Sequence, residues 1–137
     1  MNRLHRKLYG PGLLPDDLRA ALLAEQPLVL EEGLTGSVTH RQYRPNGARV
    51  EYERGPASGA VAITPVRFVV WAGRMKQVDV PHGHALRRTV KVALDGRDRV
   101  LFDVDPRLAD PTRTARVEVR LRTPSAAYIV QLLNAAT

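Results

Sequence analysis

The amino-acid sequence predicts an α+β fold. It is a small bent antiparallel sheet or open β-barrel of about seven strands, capped by a C-terminal α-helix and preceded by a short N-terminal helix. Residues 115–122 (ARVEVRLR) alternate apolar and charged side chains, as a half-buried strand does. Residues 59–81 hold the densest β-branched and aromatic run of the chain, interrupted by a turn at Gly73. Near the C-terminus, Ile129 and Leu133 recur at helical spacing.

The N-terminal part of the chain is predicted to hold an arm and one short helix. Residues 1–14 carry three basic residues, no acid and a Gly-Pro-Gly turn, so we expect a mobile basic arm. Asp16 and Asp17 favour the positive end of a helix that starts near Pro15. The helix should end before Pro27, because a proline disfavours the helical backbone conformation in the residue that precedes it.

Turn residues divide the next part of the chain into strands. A short strand at residues 28–30 is followed by glycine turns. In residues 37–44 and 48–54, successive side chains alternate between two faces, as in β-strands. A Pro-Asn-Gly turn lies between these two segments, so they predict a hairpin. Residues 55–59 (GPASG) indicate a loop that leads into a three-stranded meander over residues 59–81.

The second half of the sheet is predicted from the same signals. Residues 86–94 favour a strand with Leu94 on its apolar face, and an Asp-Gly turn leads to another strand at residues 99–105. Residues 105–114 contain two Asp-Pro steps and predict a loop. The Thr-Pro step at residues 123–124 predicts the start of the terminal helix.

The expected core consists of large apolar residues of the sheet and of the terminal helix: Phe68, Val70, Trp71, Phe102, Ile129 and Leu133. We expect Trp71, the only Trp, to be mostly buried against a surface that includes the first helix. Residues 15–137 are predicted to form a single domain, with strands over about 28–122 and the capping helix over about 124–135.

The composition argues against several classes of protein. The chain has no cysteine, so neither a disulfide framework nor thiolate chemistry is expected. No stretch approaches the roughly 18 apolar residues of a membrane-spanning helix. No apolar segment follows the basic N-terminus, as it would in a secretory signal. A cytoplasmic location is expected, with peripheral attachment to the inner face of the membrane left open.

The net charge of +7 makes binding to nucleic acid or to an anionic membrane a hypothesis. Nearly all the basic residues are Arg, a bias that codon composition alone can produce. A possible anion-binding set flanks the predicted hairpin turn: Arg41, Arg44 and Arg49. A basic stripe faces outward on the last strand: Arg116, Arg120 and Arg122. Arginine can bind phosphate in a bidentate manner, but cross-strand Arg–Glu pairs on a solvated sheet are the alternative.

No catalytic, cofactor-binding or metal-binding residue is predicted. His82 and His84 flank a glycine, but two histidines fall short of the three or four ligands of a zinc site. No phosphate-binding loop, nucleophile elbow or catalytic triad is recognisable. The few aromatic residues are needed in the hydrophobic core, which argues against an exposed surface that stacks on the bases of single-stranded nucleic acid. We therefore do not expect an enzyme or a cofactor.

Residues 59–70 (GAVAITPVRFVV) are similar to the small-x-apolar-x-apolar-Thr-x-x-Arg-apolar hairpin of pleckstrin-homology-like (PH-like) domains of the bacterial and GRAM-type branches. Residues 78–81 (VDVP) resemble the segment that often follows this hairpin, and the helix after residue 124 lies where the capping helix of the family lies. The resemblance covers about residues 28–136. It implies a PH-like barrel and a binding or scaffolding role.

These observations lead to three hypotheses for function. The first is a non-enzymatic PH-like module that binds a protein partner or an anionic membrane surface. The second is a small β-barrel that binds nucleic acid with little sequence preference. The third is a small-ligand carrier or an enzyme whose pocket cannot be recognised in the sequence. Neither the ligand nor the oligomeric state is predicted.

Overall fold

The structure is a computed structural model, and it describes residues 10–43, 49–104 and 115–135. The described part forms seven strands and two α-helices, and a 3₁₀ helix precedes β5. In chain order these elements are α1 (Asp16–Ala24), β1 (Val29–Tyr43), β2 (Arg49–Ile63), β3 (Arg67–Ala72), β4 (Met75–Pro81), the 3₁₀ helix (Ala85–Thr89), β5 (Lys91–Asp95), β6 (Arg99–Val104), β7 (Ala115–Arg122) and α2 (Ala126–Ala135). The predicted α+β class is confirmed. None of the described helices is long and apolar enough to cross a membrane.

The seven strands form one antiparallel sheet in the order β4-β3-β2-β1-β7-β6-β5. Strands β1 to β4 pair as one meander, and β5 to β7 pair as a second one. The two meanders join where β1 pairs with β7, for example at Val38 and Val119. The long β1 therefore lies at the centre of the sheet.

The sheet curls so strongly that its two halves face each other. Phe68 of β3 and Phe102 of β6 lie four strands apart in the sheet order, which would separate them by about 19 Å in a flat sheet. Their rings instead stack, with centroids 6.5 Å apart. The sheet is thus a half-barrel, and its main core fills the concave side.

Two glycines allow the strands to approach closely where the sheet bends. A Cβ atom on Gly36 would lie 1.7 Å from the carbonyl oxygen of Arg120, and one on Gly59 would lie 2.2 Å from that of Trp71. The Leu121 side chain reaches the position of the Gly59 Cβ to within 2.9 Å. Glycine in a strand interior often marks such a bend, because it has no side chain to separate the backbones.

Helix α2 covers the concave side of the sheet next to β5 and β6. The Thr123 hydroxyl accepts a hydrogen bond from the Ser125 amide at 3.0 Å, which caps the chain just before the helix. Ile129 and Leu133 are buried in the main core, and they lie beside Ala126 on one helical face. The terminal helix is therefore part of the core.

Five of the six expected core residues are buried on the concave side, but Trp71 is not. Trp71 follows the buried Val70, so alternation along β3 directs it to the convex face. There it is partly buried beside a second cluster, whose buried members are Leu14, Leu22, Ala60, Ala62 and Val69. Leu18 packs against the same cluster, so Trp71 lies next to α1 but away from the centre of the core.

Two charged networks fasten α1 to the convex face. Arg19 donates from Nε and Nη2 to the two oxygens of Glu32, at 2.8 and 2.7 Å. At the other end of the helix, Arg67 binds both oxygens of Glu25 and also pairs with Asp79 at 2.9 Å. These hydrogen bonds lower the pKa of both glutamates below the ordinary value. We call these two networks the helix latch.

The predicted arm does not extend to residue 14. Leu14 is buried, and its amide donates to Glu32 at 2.7 Å. The Gly12 carbonyl accepts a hydrogen bond from the Gly33 amide at 3.0 Å. Residues 10–14 therefore pack against the sheet, whereas residues 1–9 lie outside the described part of the chain.

Several predicted boundaries differ from the observed ones. β1 is one strand with an irregularity between Glu31 and Leu34, so the expected break at its glycines does not occur. β2 continues through residues 55–59, which were expected to form a loop. The 3₁₀ helix replaces the start of the strand predicted at residues 86–94, and Leu94 is 46% exposed rather than buried. The predicted turns at residues 45–47 and 105–114 lie outside the described residues.

Candidate functional site

One end of the curled sheet collects the ends of β1, β3 and β6 and the starts of β2, β4 and β7. We call this the mouth end. A cleft of about 300 Å³ opens there on the sheet. The lining residues of this mouth cleft come from β1, β2 and the β3–β4 hairpin: Val38, His40, Gly55, Pro56, Ala57, Gly73, Met75 and Gln77.

The mouth cleft exists because small residues line it. A Cβ atom added to Gly55 would meet no heavy atom within 4 Å. Among the described residues, one added to Gly73 would meet Val38 alone, at 3.8 Å. Ala57 contributes a single methyl group to the same region. Val38 and Ala57 are buried members of the main core, so the cleft ends on apolar side chains.

The rim of the mouth cleft is partly apolar and partly polar. Met75 is 41% exposed, and its flexible thioether side chain can adapt to different apolar groups. The Gln77 amide donates to the Ala72 carbonyl at 2.9 Å, which fixes its orientation. His40 is half-buried. A cleft with an apolar floor and a few oriented polar groups is suited to accept an apolar side chain.

Two residues of the possible anion-binding set lie in strands that end or begin at the mouth end. Arg41 lies near the end of β1 and Arg49 at the start of β2, where it pairs with Tyr43. Arg44 lies outside the described residues, and so do the side chains of Arg41 and Arg49. The hypothesis that these three residues bind phosphate stays a prediction.

The basic stripe lies on the convex face, and each of its arginines faces a carboxylate. Arg116 pairs with Asp103 at 2.9 Å. Arg120 is held between Asp95 at 3.2 Å and Glu118 at 2.9 Å. Arg122 lies 3.7 Å from Asp98. The positive charges of this stripe are therefore paired with carboxylates, which argues against a polyanion-binding surface.

The two turn histidines take part in local hydrogen bonds. The Nε2 atom of His82 lies 2.7 Å from the Thr64 carbonyl oxygen, and Nδ1 of His84 accepts from the Leu86 amide at 3.1 Å. Among the described residues, no group of three or more His, Cys, Asp or Glu side chains could hold a metal ion. Both histidines thus have a structural role at the end of β4.

Arg87 is buried, with 5% of its surface exposed. Its guanidinium lies 4.9 Å from the centroid of the Phe68 ring and donates to the carbonyls of Val90 and Leu133. Burial lowers its pKa below the ordinary value. Arg87 therefore joins the 3₁₀ helix to the last turn of α2, where a cation also favours the helix dipole.

Sequence reasoning missed the mouth cleft because residues 55–59 carry the composition of a loop. A signal was nevertheless present, since small residues next to an alternating strand leave space when they lie in a sheet. Comparison with protein-family models and with curated proteins finds no match for this chain.

Proposed function

We propose that this chain is a non-enzymatic binding module with a PH-like barrel, and that it binds a protein partner through the mouth cleft. The supporting architecture is a four-stranded meander followed by a three-stranded one, with a helix directly after β7. The observation that supports this binding site is the apolar cleft at the mouth end. A cytoplasmic location is compatible with a sequence that has no cysteine.

The charges of the described residues favour a protein over an anionic surface. The stripe of Arg116, Arg120 and Arg122 is paired with carboxylates. The mouth cleft is lined mainly by apolar and small residues. An apolar anchor side chain that fills a desolvated pocket is the usual centre of a protein interface.

The chemistry of the cleft favours binding over catalysis. Among the described residues that line the cleft, His40 is the only one with a titratable side chain. A single histidine supplies neither the paired acid and base of a hydrolase nor a nucleophile with its activating base. The cleft is therefore proposed to recognise a side chain rather than to transform a substrate.

A selection of peptides tests this proposal. The full chain is immobilised and random displayed peptides are selected on it, after which the dissociation constants of the enriched peptides are measured. We expect the enriched peptides to share an apolar anchor residue. Gly55→Val should weaken their binding by at least about tenfold, because the new side chain fills the space that the anchor needs.

Gly83→Val is the matched control, because Gly83 also has open space around it but lies outside the cleft. It should leave peptide affinity unchanged. Both variants must retain a cooperative thermal transition. If the enriched peptides lack a common anchor, or bind the Gly55→Val variant as tightly as the parent chain, the proposal is wrong. Selective binding to anionic vesicles, lost after reversal of Arg44 and Arg49 to Glu, would favour a membrane surface instead.

A further inference from the structure

A second cleft lies on the convex face of the sheet, on the other side of the β3–β4 turn from the mouth cleft. It encloses about 250 Å³ and is lined by residues 10–13, Ser58, Trp71 and Arg74. We call it the Trp71 cleft. No described residue lines both clefts, so the inference drawn from the Trp71 cleft does not rest on the proposed function.

Glycines build one wall of the Trp71 cleft. Gly10 and Gly12 have φ values of 86° and 66°, a conformation that other residues rarely adopt. A Cβ atom on Gly12 would lie 2.7 Å from the Gly59 amide nitrogen, so the segment can approach β2 only without a side chain there. A Cβ on Gly10 would lie 3.2 Å from Nε of Arg74, which places this side chain along the same wall.

The Trp71 cleft also contains an arginine in an unfavourable backbone conformation. Gly73 and Arg74 form the two-residue turn between β3 and β4, with φ values of 62° and 65°. Hairpin turns of this kind strongly prefer Gly, Asn or Asp at both positions, and Gly at the second one relieves the strain. Strained residues of this type cluster at binding sites, where the side chain has a function that offsets its cost.

The described residues that line the cleft include an aromatic ring and an arginine. Trp71 is only partly buried, so its indole is available as an apolar wall. Pro11 and the 41%-exposed Leu13 add apolar surface, and Arg74 supplies a guanidinium. The volume is below that of a typical drug-binding pocket, so it suits one ring or one short side chain.

We propose that the Trp71 cleft binds a small apolar group that carries a carboxylate. The apolar part packs against Trp71, and the guanidinium of Arg74 forms charge-assisted hydrogen bonds with the carboxylate. Two sources offer this chemistry: a free small carboxylic acid, and the C-terminal residue of a peptide chain.

Trp71 is the only Trp of the chain and therefore a built-in probe of the cleft. The full chain is titrated with 3-phenylpropionate and, in a parallel series, with the neutral 3-phenylpropanamide, and the fluorescence of Trp71 is recorded. A short peptide ending in Phe is tested with a free and with an amidated C-terminus. We expect saturable changes with the carboxylates only. Tighter binding of the peptide identifies a chain terminus as the source, and tighter binding of the free acid identifies a small molecule.

Arg74→Gly separates a ligand role from a purely structural one. We expect this variant to melt at a higher temperature, because Gly relieves the strain of the turn. Its affinity for the carboxylate should fall by at least about tenfold, because a charge-assisted hydrogen bond is lost. Gln26 is the other described non-glycine residue with positive φ, at 60°. Gln26→Gly is thus the matched control, which should also melt higher but bind the carboxylate as the parent chain does.

Two results would overturn the proposal. One is a fluorescence titration of the parent chain that saturates with none of the carboxylates. The other is an Arg74→Gly variant that binds them with unchanged affinity.

Discussion

Gly36 is the residue on which the shape of the sheet depends most directly. It lies in the central strand, and its missing side chain leaves room for the backbone of β7. Gly59 has the same role towards β3. Both residues lie in strands, where glycine is normally unfavourable because it loses much conformational entropy on folding. Glycine is therefore required at these two positions because the neighbouring backbones leave no room for a side chain.

We predict that Gly36→Ala lowers the free energy of unfolding by about 3 kcal/mol or more, because β1 and β7 must separate to accept a methyl group. Gly55→Ala is the control, since Gly55 lies in a strand with open space around it. It should change the free energy of unfolding by less than about 1 kcal/mol. Urea denaturation of both variants measures the difference. Similar free energies of unfolding for the two variants would contradict the claim that β1 and β7 can approach closely only with glycine at position 36.

Residue patterns predicted most of the core, and they also predicted that Trp71 packs beside the first helix, where Leu18 and Leu22 lie. Val70 and Trp71 are neighbours in one strand, so only one of them can point into the concave core, and the helix covers the other. The patterns did not predict the surroundings of Arg87. Arg87 lies among basic residues in the sequence, and its burial depends on the distant Phe68 and Leu133. Contacts between distant segments are not encoded in local spacing.

At the scale of elements, α1 is attached to the sheet by the helix latch as well as by its apolar face. The folded-state pKa of Glu25 and Glu32 is lower than the ordinary value of 4.5. The stabilisation from these groups is therefore fully present above about pH 4.5. It is lost as the pH falls from there through their folded-state pKa, because the unfolded chain takes up protons first.

We predict that the melting temperature falls as the pH is lowered from 5 to about 3, and that Glu25→Gln makes this fall less steep. Asp17→Asn is the control, because it removes an exposed carboxylate of the same helix. Thermal unfolding followed by Trp71 fluorescence provides the measurement, since Trp71 lies beside the cluster that α1 covers. If the melting temperature of Glu25→Gln depends on pH as that of the parent chain does, the helix latch does not contribute to the pH dependence of stability.

The sequence predicted both helices, the central meander and the last strand, because each has a clear period and a clear end. It did not predict that β2 runs through residues 55–59. Glycine and proline are turn signals in isolation, but here Pro56 pairs with Ser37 and Gly55 with Val38 of the long β1. The mouth cleft depends on this continuation, so the candidate site could not be predicted before the strand was known.

At the scale of the whole molecule, the net charge is +7, and several cations of the described residues lie in ion pairs. Arg19, Arg67 and the arginines of the stripe all lie beside carboxylates. The long-range field of the protein is nevertheless positive, and a field attracts any polyanion at low salt. The expected result is attraction without selectivity.

We predict that anionic vesicles and nucleic acid both bind the chain weakly, and that added salt releases both with a similar slope. Arg44→Glu with Arg49→Glu should weaken both by a similar factor. Binding measured at several salt concentrations tests this. Saturable binding to one phosphorylated lipid over equally charged competitors, lost in the double variant, would show that the hairpin arginines form a specific site.

The curl of the sheet also has a consequence for how the chain folds. Each meander is built from neighbouring hairpins, so its strands can pair soon after collapse. The seam between β1 and β7 instead joins residues as distant as Val38 and Val119, and the contact of Phe68 with Phe102 needs the seam to be closed. Closing a loop of this length costs entropy before any of its contacts form. The seam should therefore set the folding rate, and until it closes each meander leaves an unpaired edge that another chain can join.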